Sequence, residues 1–101
     1  MEMTDFKVKA ALDATSETEE LNDREKALIG IAVVLTRGCQ QCNGGRLEKA
    51  LASGIPYKAV QEAIDLTAAV NAGVTIRTAI EGADLAKINE ACQGEECAVG
   101  T

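Results

Sequence analysis

The chain is 101 residues long with a net charge of −6, four cysteines and no histidine. That length bounds a single small domain with a modest core. The acidic balance and the lack of any basic stripe exclude a phosphate-backbone partner, so no nucleic acid is expected.

Residues 4 to 14 read as a short helix with Thr4 as N-cap, followed by an acidic connector from Thr15 to Glu20. Asn22 with Glu25 three residues later has the form of a capping box and opens a helix to about Arg37. Within it Leu28, Ile31, Ala32 and Leu35 mark one face, while Ile29, Val33 and Val34 fill much of the other. A helix apolar nearly all round needs cover on more than one side, which predicts self-association. Gly38 ends that helix. The next begins at Cys39 or Gln40 and runs to about Ser53, carrying Gly44-Gly45, which costs ~2 kcal/mol of helix propensity against two alanines. The glycine pair reads as a site of close approach for another backbone, as local opening, or as a tight helix crossing. Gly54 is a stop, and Ile55-Pro56 opens a helix from about Tyr57 to Val70 with Ala59, Val60, Ala63, Ile64 and Thr67 facing inward. Asn71-Ala72-Gly73 is expected to break the chain before a last helix, Val74 to Ala91. The tail from Cys92 has turn chemistry without periodicity and reads as mobile.

An Ala-rich aliphatic composition with Phe6 and Tyr57 as the only aromatics fits an all-α fold of about five helices in one domain spanning residues 1–101. The longest apolar run, Ala27 to Leu35, is about half of the roughly 20 residues a membrane helix needs, and the first residues carry no apolar signal segment. The expected location is therefore the cytoplasm, with no membrane partner. In that reducing compartment, cysteines are catalytic or metal-binding more often than permanent cross-links.

Cys39-Gln40-Gln41-Cys42 carries the chemistry. Two thiols at this spacing close a disulfide with little chain movement, and a helix start favours the thiolate through its free N–H groups and dipole. Lowering a thiol from about 8.5 to about 6.5 needs roughly 2.7 kcal/mol. A helix N-terminus supplies ~1 kcal/mol. Arg46, one turn beyond Cys42, and Arg37 on the other side are placed by spacing to supply the rest. Cys39, Cys42 and Arg46 are thus the candidate catalytic residues, weighed against two thiols that merely pack and against a metal half-site. No cofactor is implied. Proton delivery to a departing peroxide oxygen is harder, because arginine is no acid at neutral pH. Glu25, Glu48 and Glu62 qualify by residue type, against the plainer reading of solvated surface charges.

The run from Leu21 to Cys42, with Leu47-Glu-Lys-Ala-Leu-Ala-Ser-Gly and Ile-Pro-Tyr-Lys-Ala-Val-Gln-Glu-Ala after it, resembles the carboxymuconolactone decarboxylase family, in its alkylhydroperoxidase D-like branch. The resemblance spans roughly residues 5 to 90. It implies a helical bundle assembled as a homo-trimer or homo-hexamer, and an antioxidant peroxidase or disulfide-reductase activity. A peroxide or disulfide is the implied substrate, and a lipoyl or thioredoxin-like dithiol the implied electron donor. It further implies that Cys42 attacks and Cys39 resolves. Where the peroxidase pattern has a glutamate and two histidines, this chain has Ala27, Gln41 and Arg46, so the dithiol survives without its proton relay. That suits disulfide exchange better than peroxide turnover. Cys92 and Cys97 lie outside the pattern. They read as unconstrained thiols, as a shuttle exchanging electrons with Cys39 and Cys42, or as half of a four-cysteine zinc site. The last belongs to the alternative function, a non-enzymatic scaffold or metal-binding module.

Overall fold

A computed structural model describes residues 1–97. The fold is all-α: a 3-10 turn (Met3–Asp5), then α1 (Val8–Ser16), α2 (Asp23–Arg37), α3 (Gln40–Ala52), α4 (Tyr57–Leu85) and the single-turn α5 (Ile88–Ala91), ending in a two-residue β-ladder. The chain divides into two compact units, one covering Met1–Ile64 and the other beginning at Asp65, with α4 running through the boundary.

Thr4 sits inside the 3-10 turn and caps nothing, because Phe6 is extended and delays α1 to Val8. The helix then continues through Thr15 and Ser16, whose hydroxyls donate back to the carbonyls of Leu12 and Asp13, both at 2.7 Å. Such local bonds let small polar residues finish a helix that propensity alone would end earlier. The connector is held from α2: Lys26 Nζ donates to the Ser16 carbonyl at 2.9 Å and also to that of Thr18.

The capping box of α2 is formed as expected. The Glu25 amide donates to Asn22 Oδ1 at 2.8 Å, and the Asn22 amide donates to Glu25 Oε1 at 2.9 Å. At the far end Gly38 adopts φ 76°, the left-handed region, and its N–H reaches the carbonyls of Val34 and Leu35. Gly54 closes α3 in the same way at φ 95°.

In the first unit α2 and α3 pack together, and Ile31, Ala50, Ile55 and Val60 form the buried core, with Ala27, Leu28, Leu35, Leu47, Ala59 and Ile64 against it. The inward face read for α4 is the observed one. Val60 is buried, and Ala59, Ala63, Ile64 and Thr67 are half-buried. On the opposite side of α2, Ile29 and Val33 are about half exposed (49% and 54%).

The expected break at Asn71-Ala72-Gly73 is absent, and Tyr57–Leu85 is one helix. Asn and Gly each lower helix propensity by only about 1 kcal/mol or less. Neither blocks the backbone ladder as proline does. Alanines at 68, 69 and 72 compensate, and Thr75 Oγ1 bonds back to the Asn71 carbonyl at 3.0 Å. The helix stops instead at Leu85, where Lys87 takes φ 58° and turns the chain into α5. Cys92–Gln93 then pairs antiparallel with Glu96–Cys97 around Gly94 at φ 61°. Of the tail read as mobile, 92–101, residues 98–101 lie outside the described residues.

The core is aliphatic and small, so each member matters. Ile31→Ala is expected to destabilise by about 2–5 kcal/mol. Asn22→Ala, which removes one half of the capping box, is expected to cost about 1 kcal/mol. Urea unfolding followed by far-ultraviolet circular dichroism measures both.

Candidate functional site

The site is made by the shortest connection in the fold. Gly38 closes α2, Cys39 caps α3, and Gln40 is already helical. Cys39 has the extended backbone of an N-cap, and its Sγ accepts the Cys42 amide at 3.2 Å. The Cys39 carbonyl accepts from the Asn43 amide at 3.0 Å, the first regular bond of the helix. Sulfur here does what the oxygen of serine or aspartate usually does: it takes an amide that the helix leaves unpaired.

Cys39 and Cys42 are joined as a disulfide, with Cα atoms 5.3 Å apart. The two sulfurs are not equivalent. Cys39 is half-buried and Cys42 is exposed. Reduction would leave the Cys39 thiolate at a helix N-terminus, where amide and dipole both favour negative charge.

Arg46 is placed differently from what spacing alone suggests. Its guanidinium folds back over Gly30 of α2, and a Cβ built on Gly30 would lie 2.2 Å from Arg46 Nη1. Gly30 is thus the notch that receives the arginine, a contact that helical spacing within α3 does not foretell. Among the described residues Arg46 makes no hydrogen bond or ion pair. Arg37, exposed in the last turn of α2, complements that helix's C-terminal dipole. Of the three carboxylates considered as acids, Glu25 is held by its capping box, and Glu48 and Glu62 are exposed.

Asn43 escaped the sequence reading. It lies half-buried on the inward face of α3, in line with Cys39, Leu47 and Ala50, and its Oδ1 is buried without a hydrogen-bond partner. The signal was there as a polar residue on a helical stripe of inward positions. Gly44 and Gly45 face open space, since a Cβ on either would meet nothing within 4 Å. Among the described residues neither accommodates a tight crossing of helices. They leave the surface of α3 beyond Cys42 bare of side chains.

The second cysteine pair is also closed. Cys92 and Cys97 face each other across the terminal ladder and form a disulfide, so no cysteine is free. Among the described residues no group of three or more potential metal ligands converges. No helix there is long and apolar enough to cross a membrane.

The family model for the carboxymuconolactone decarboxylase family matches residues 5–85. The chain belongs to this family. The matched region takes in α1 through α4 and the Cys39–Cys42 pair, and stops before the terminal hairpin. A crystal structure of a protein from Methanobacterium thermoautotrophicum is similar, with a TM-score of 0.72 and 28% identity over 80% of this chain and 93% of that one. A comparison with curated proteins finds no match.

The cap role of Cys39 separates from its redox role in the reduced protein. Cys39→Ser keeps an acceptor for the Cys42 amide, whereas Cys39→Ala removes it. In excess reductant the alanine variant is expected to be about 1 kcal/mol less stable than the serine variant. Urea melts of the two variants side by side check this.

Proposed function

We propose that this member of the carboxymuconolactone decarboxylase family is a thiol–disulfide oxidoreductase that works through Cys42 and Cys39. One observation carries the reading: an exposed cysteine bridged to a half-buried one whose Sγ accepts a backbone amide at a helix start. In the reduced state the Cys42 thiolate attacks one sulfur of a disulfide substrate, and the other substrate sulfur leaves as a thiolate. Cys39 then attacks Cys42 in the mixed disulfide and releases the second substrate thiolate. The Cys39–Cys42 bond forms, and the two protons of the original thiols end on the products. A dithiol of lipoyl or thioredoxin-like type reverses these steps and closes the cycle, in keeping with a reducing compartment such as the cytoplasm.

Disulfide is favoured over peroxide on acid–base grounds. Thiolates leave without help at neutral pH, but an oxygen leaving from a peroxide needs a proton. The chain has no histidine, and Glu25 is engaged by its cap. Arg46 serves in this scheme by its charge alone.

The test is a single turnover. Fully reduced protein is mixed with hydroxyethyl disulfide or with hydrogen peroxide, quenched in acid and mapped by mass spectrometry. Cys39–Cys42 should form faster with the disulfide. Cys39→Ser should trap a mixed disulfide on Cys42, and Cys42→Ser should block closure. Iodoacetamide titration of the reduced pair should show ionisation below the free-thiol value of about 8.5. Ionisation at or above that value, or an adduct absent from Cys42, overturns the proposal.

Self-assembly as a homo-trimer or homo-hexamer belongs to the same reading. Only four of the described residues are buried apolar ones, and all four lie in the first unit. Beyond the boundary α4 exposes Leu66, Val70, Val74, Ile76 and Ile80, each by more than half of its surface. An apolar helix face of that extent is what a subunit interface covers. Sedimentation equilibrium should give an oligomer, and Ile76→Glu with Ile80→Glu should shift it toward monomer. A monomeric wild type would remove assembly from the proposal.

A further inference from the structure

The far part of α4 repeats its apolar and small residues at intervals of three and four. Leu66, Ala69, Gly73, Ile76, Ile80 and Ala83 follow one another in this way along the helix. That spacing places all six on one stripe, the seam by which one helix packs lengthwise on another. Leu66, Ile76 and Ile80 are exposed by 66%, 61% and 53%. A Cβ added at Gly73 would meet nothing within 4 Å, and the hollow there is walled by Ile76, Arg77 and Ile80.

The order of large and small residues on the stripe selects what covers it. Let a second copy of α4 lie head to tail on the first, with the two-fold axis between Val74 and Thr75. Leu66 then faces the partner's Ala83, Ala69 faces the partner's Ile80, and Gly73 faces the partner's Ile76. The two-fold repeats each pair with the roles exchanged. Every layer joins one large aliphatic side chain to one small residue, the condition for filling a seam without voids or overlap. A slip of one heptad in either direction sets Ile76 against Ile80 or Leu66 against Ile76, and leaves Gly73 facing an alanine. A parallel pair sets isoleucine on isoleucine and glycine on glycine. Charge favours the same head-to-tail register. Glu62 stands four residues before Leu66, and Lys87 four residues after Ala83. Each end of the seam therefore brings a carboxylate of one copy level with an ammonium of the other, as flanking charges do in paired helices.

We propose that two copies of this chain pair antiparallel along residues 66–83 of α4 in this register. The proposal rests on the self-assembly of the chain and names the contact that carries it. A two-fold pair is the building block of a hexamer of three dimers and has no place in a lone cyclic trimer. Of those two assemblies it selects the hexamer.

The experiment uses full-length chains with benzoylphenylalanine in place of Asp65. That position flanks the seam, and the pairing brings it level with the partner's Ala86. The protein is irradiated, and the cross-linked dimer is isolated on a reducing, denaturing gel, digested with trypsin and mapped by mass spectrometry. Adducts should join residues 59–77 of one copy to residues 78–87 of the other. A second variant tests the layers. Gly73→Ile sets isoleucine against isoleucine twice at the centre of the seam. It should raise the dissociation constant in sedimentation velocity by about tenfold or more. Gly73→Ile with Ile76→Gly returns one large and one small residue to each central layer and should recover most of that loss, with helix content checked by circular dichroism. Adducts joining 59–77 to 59–77, no adduct between the two α4 helices, or an assembly unchanged by Gly73→Ile overturns the antiparallel pair and leaves self-assembly standing. A wild type that sediments as a trimer does the same. A monomeric wild type overturns self-assembly and the pairing together.

Discussion

The arrangement of the candidate site depends on the left-handed backbone of Gly38. An L-residue with a side chain reaches φ 76° only at a penalty of about 1–2 kcal/mol, whereas glycine adopts it freely. With glycine there, α2 closes its last carbonyls onto one amide, and the chain reverses within two residues. Cys39 then falls at the N-cap of α3 and Cys42 at the third helical position, whose amide points back to the cap. The dithiol, its helix start and the packing of α3 on α2 are three consequences of one backbone conformation. A longer connection would separate them.

Given that geometry, the absence of histidine limits what the surroundings of the dithiol can supply. An imidazole both holds a thiolate and hands over a proton. A helix N-terminus and a guanidinium do only the first. Backbone amides are fixed dipoles that stabilise charge and exchange no proton on the timescale of catalysis, and arginine stays protonated. A site built from these parts suits leaving groups that depart as stable anions. Thiolates meet that requirement and alkoxides do not. On that ground the exchange we propose is between sulfurs, with Arg46 contributing charge and no proton.

Most of what positions the dithiol was legible in the residues, because it is local. The Asn22–Glu25 box, the Gly38 stop, the start of α3 and the inward stripe of α4 all follow from spacings of three and four. What was missed depends on sums or on contacts between elements. Asn71 and Gly73 look like a break when taken alone. They are overridden by the alanines around them and by the Thr75 back-bond, so α4 continues to Leu85. The turn at Lys87 needs a left-handed lysine, for which the sequence carries no sign. Arg46 faces Cys42 by helical arithmetic, yet its side chain is long enough to cross to Gly30, and only the packing of α2 on α3 reveals the notch. Asn43 belonged to a stripe that its neighbours Cys39, Leu47 and Ala50 already define.

The glycine pair ties the site to the scale of the core. Gly44 and Gly45 weaken α3 in its second turn, and nothing within the described chain fills the space they leave. Four buried residues provide little surplus stability from which to absorb such a weakness. An isolated helix of α3's length is marginal even with good formers throughout, so α3 depends on its neighbours. The glycines sit on the turn that follows the exposed Cys42 sulfur. There a side chain would stand between that sulfur and a broad partner, but backbone alone would not. A mixed disulfide brings the two sulfurs to bonding distance, which forces the surfaces behind them together as well. Small-molecule thiols would not need that clearance. In the exchange we propose, a folded protein dithiol would need it, and the glycine turn beside Cys42 leaves that space open.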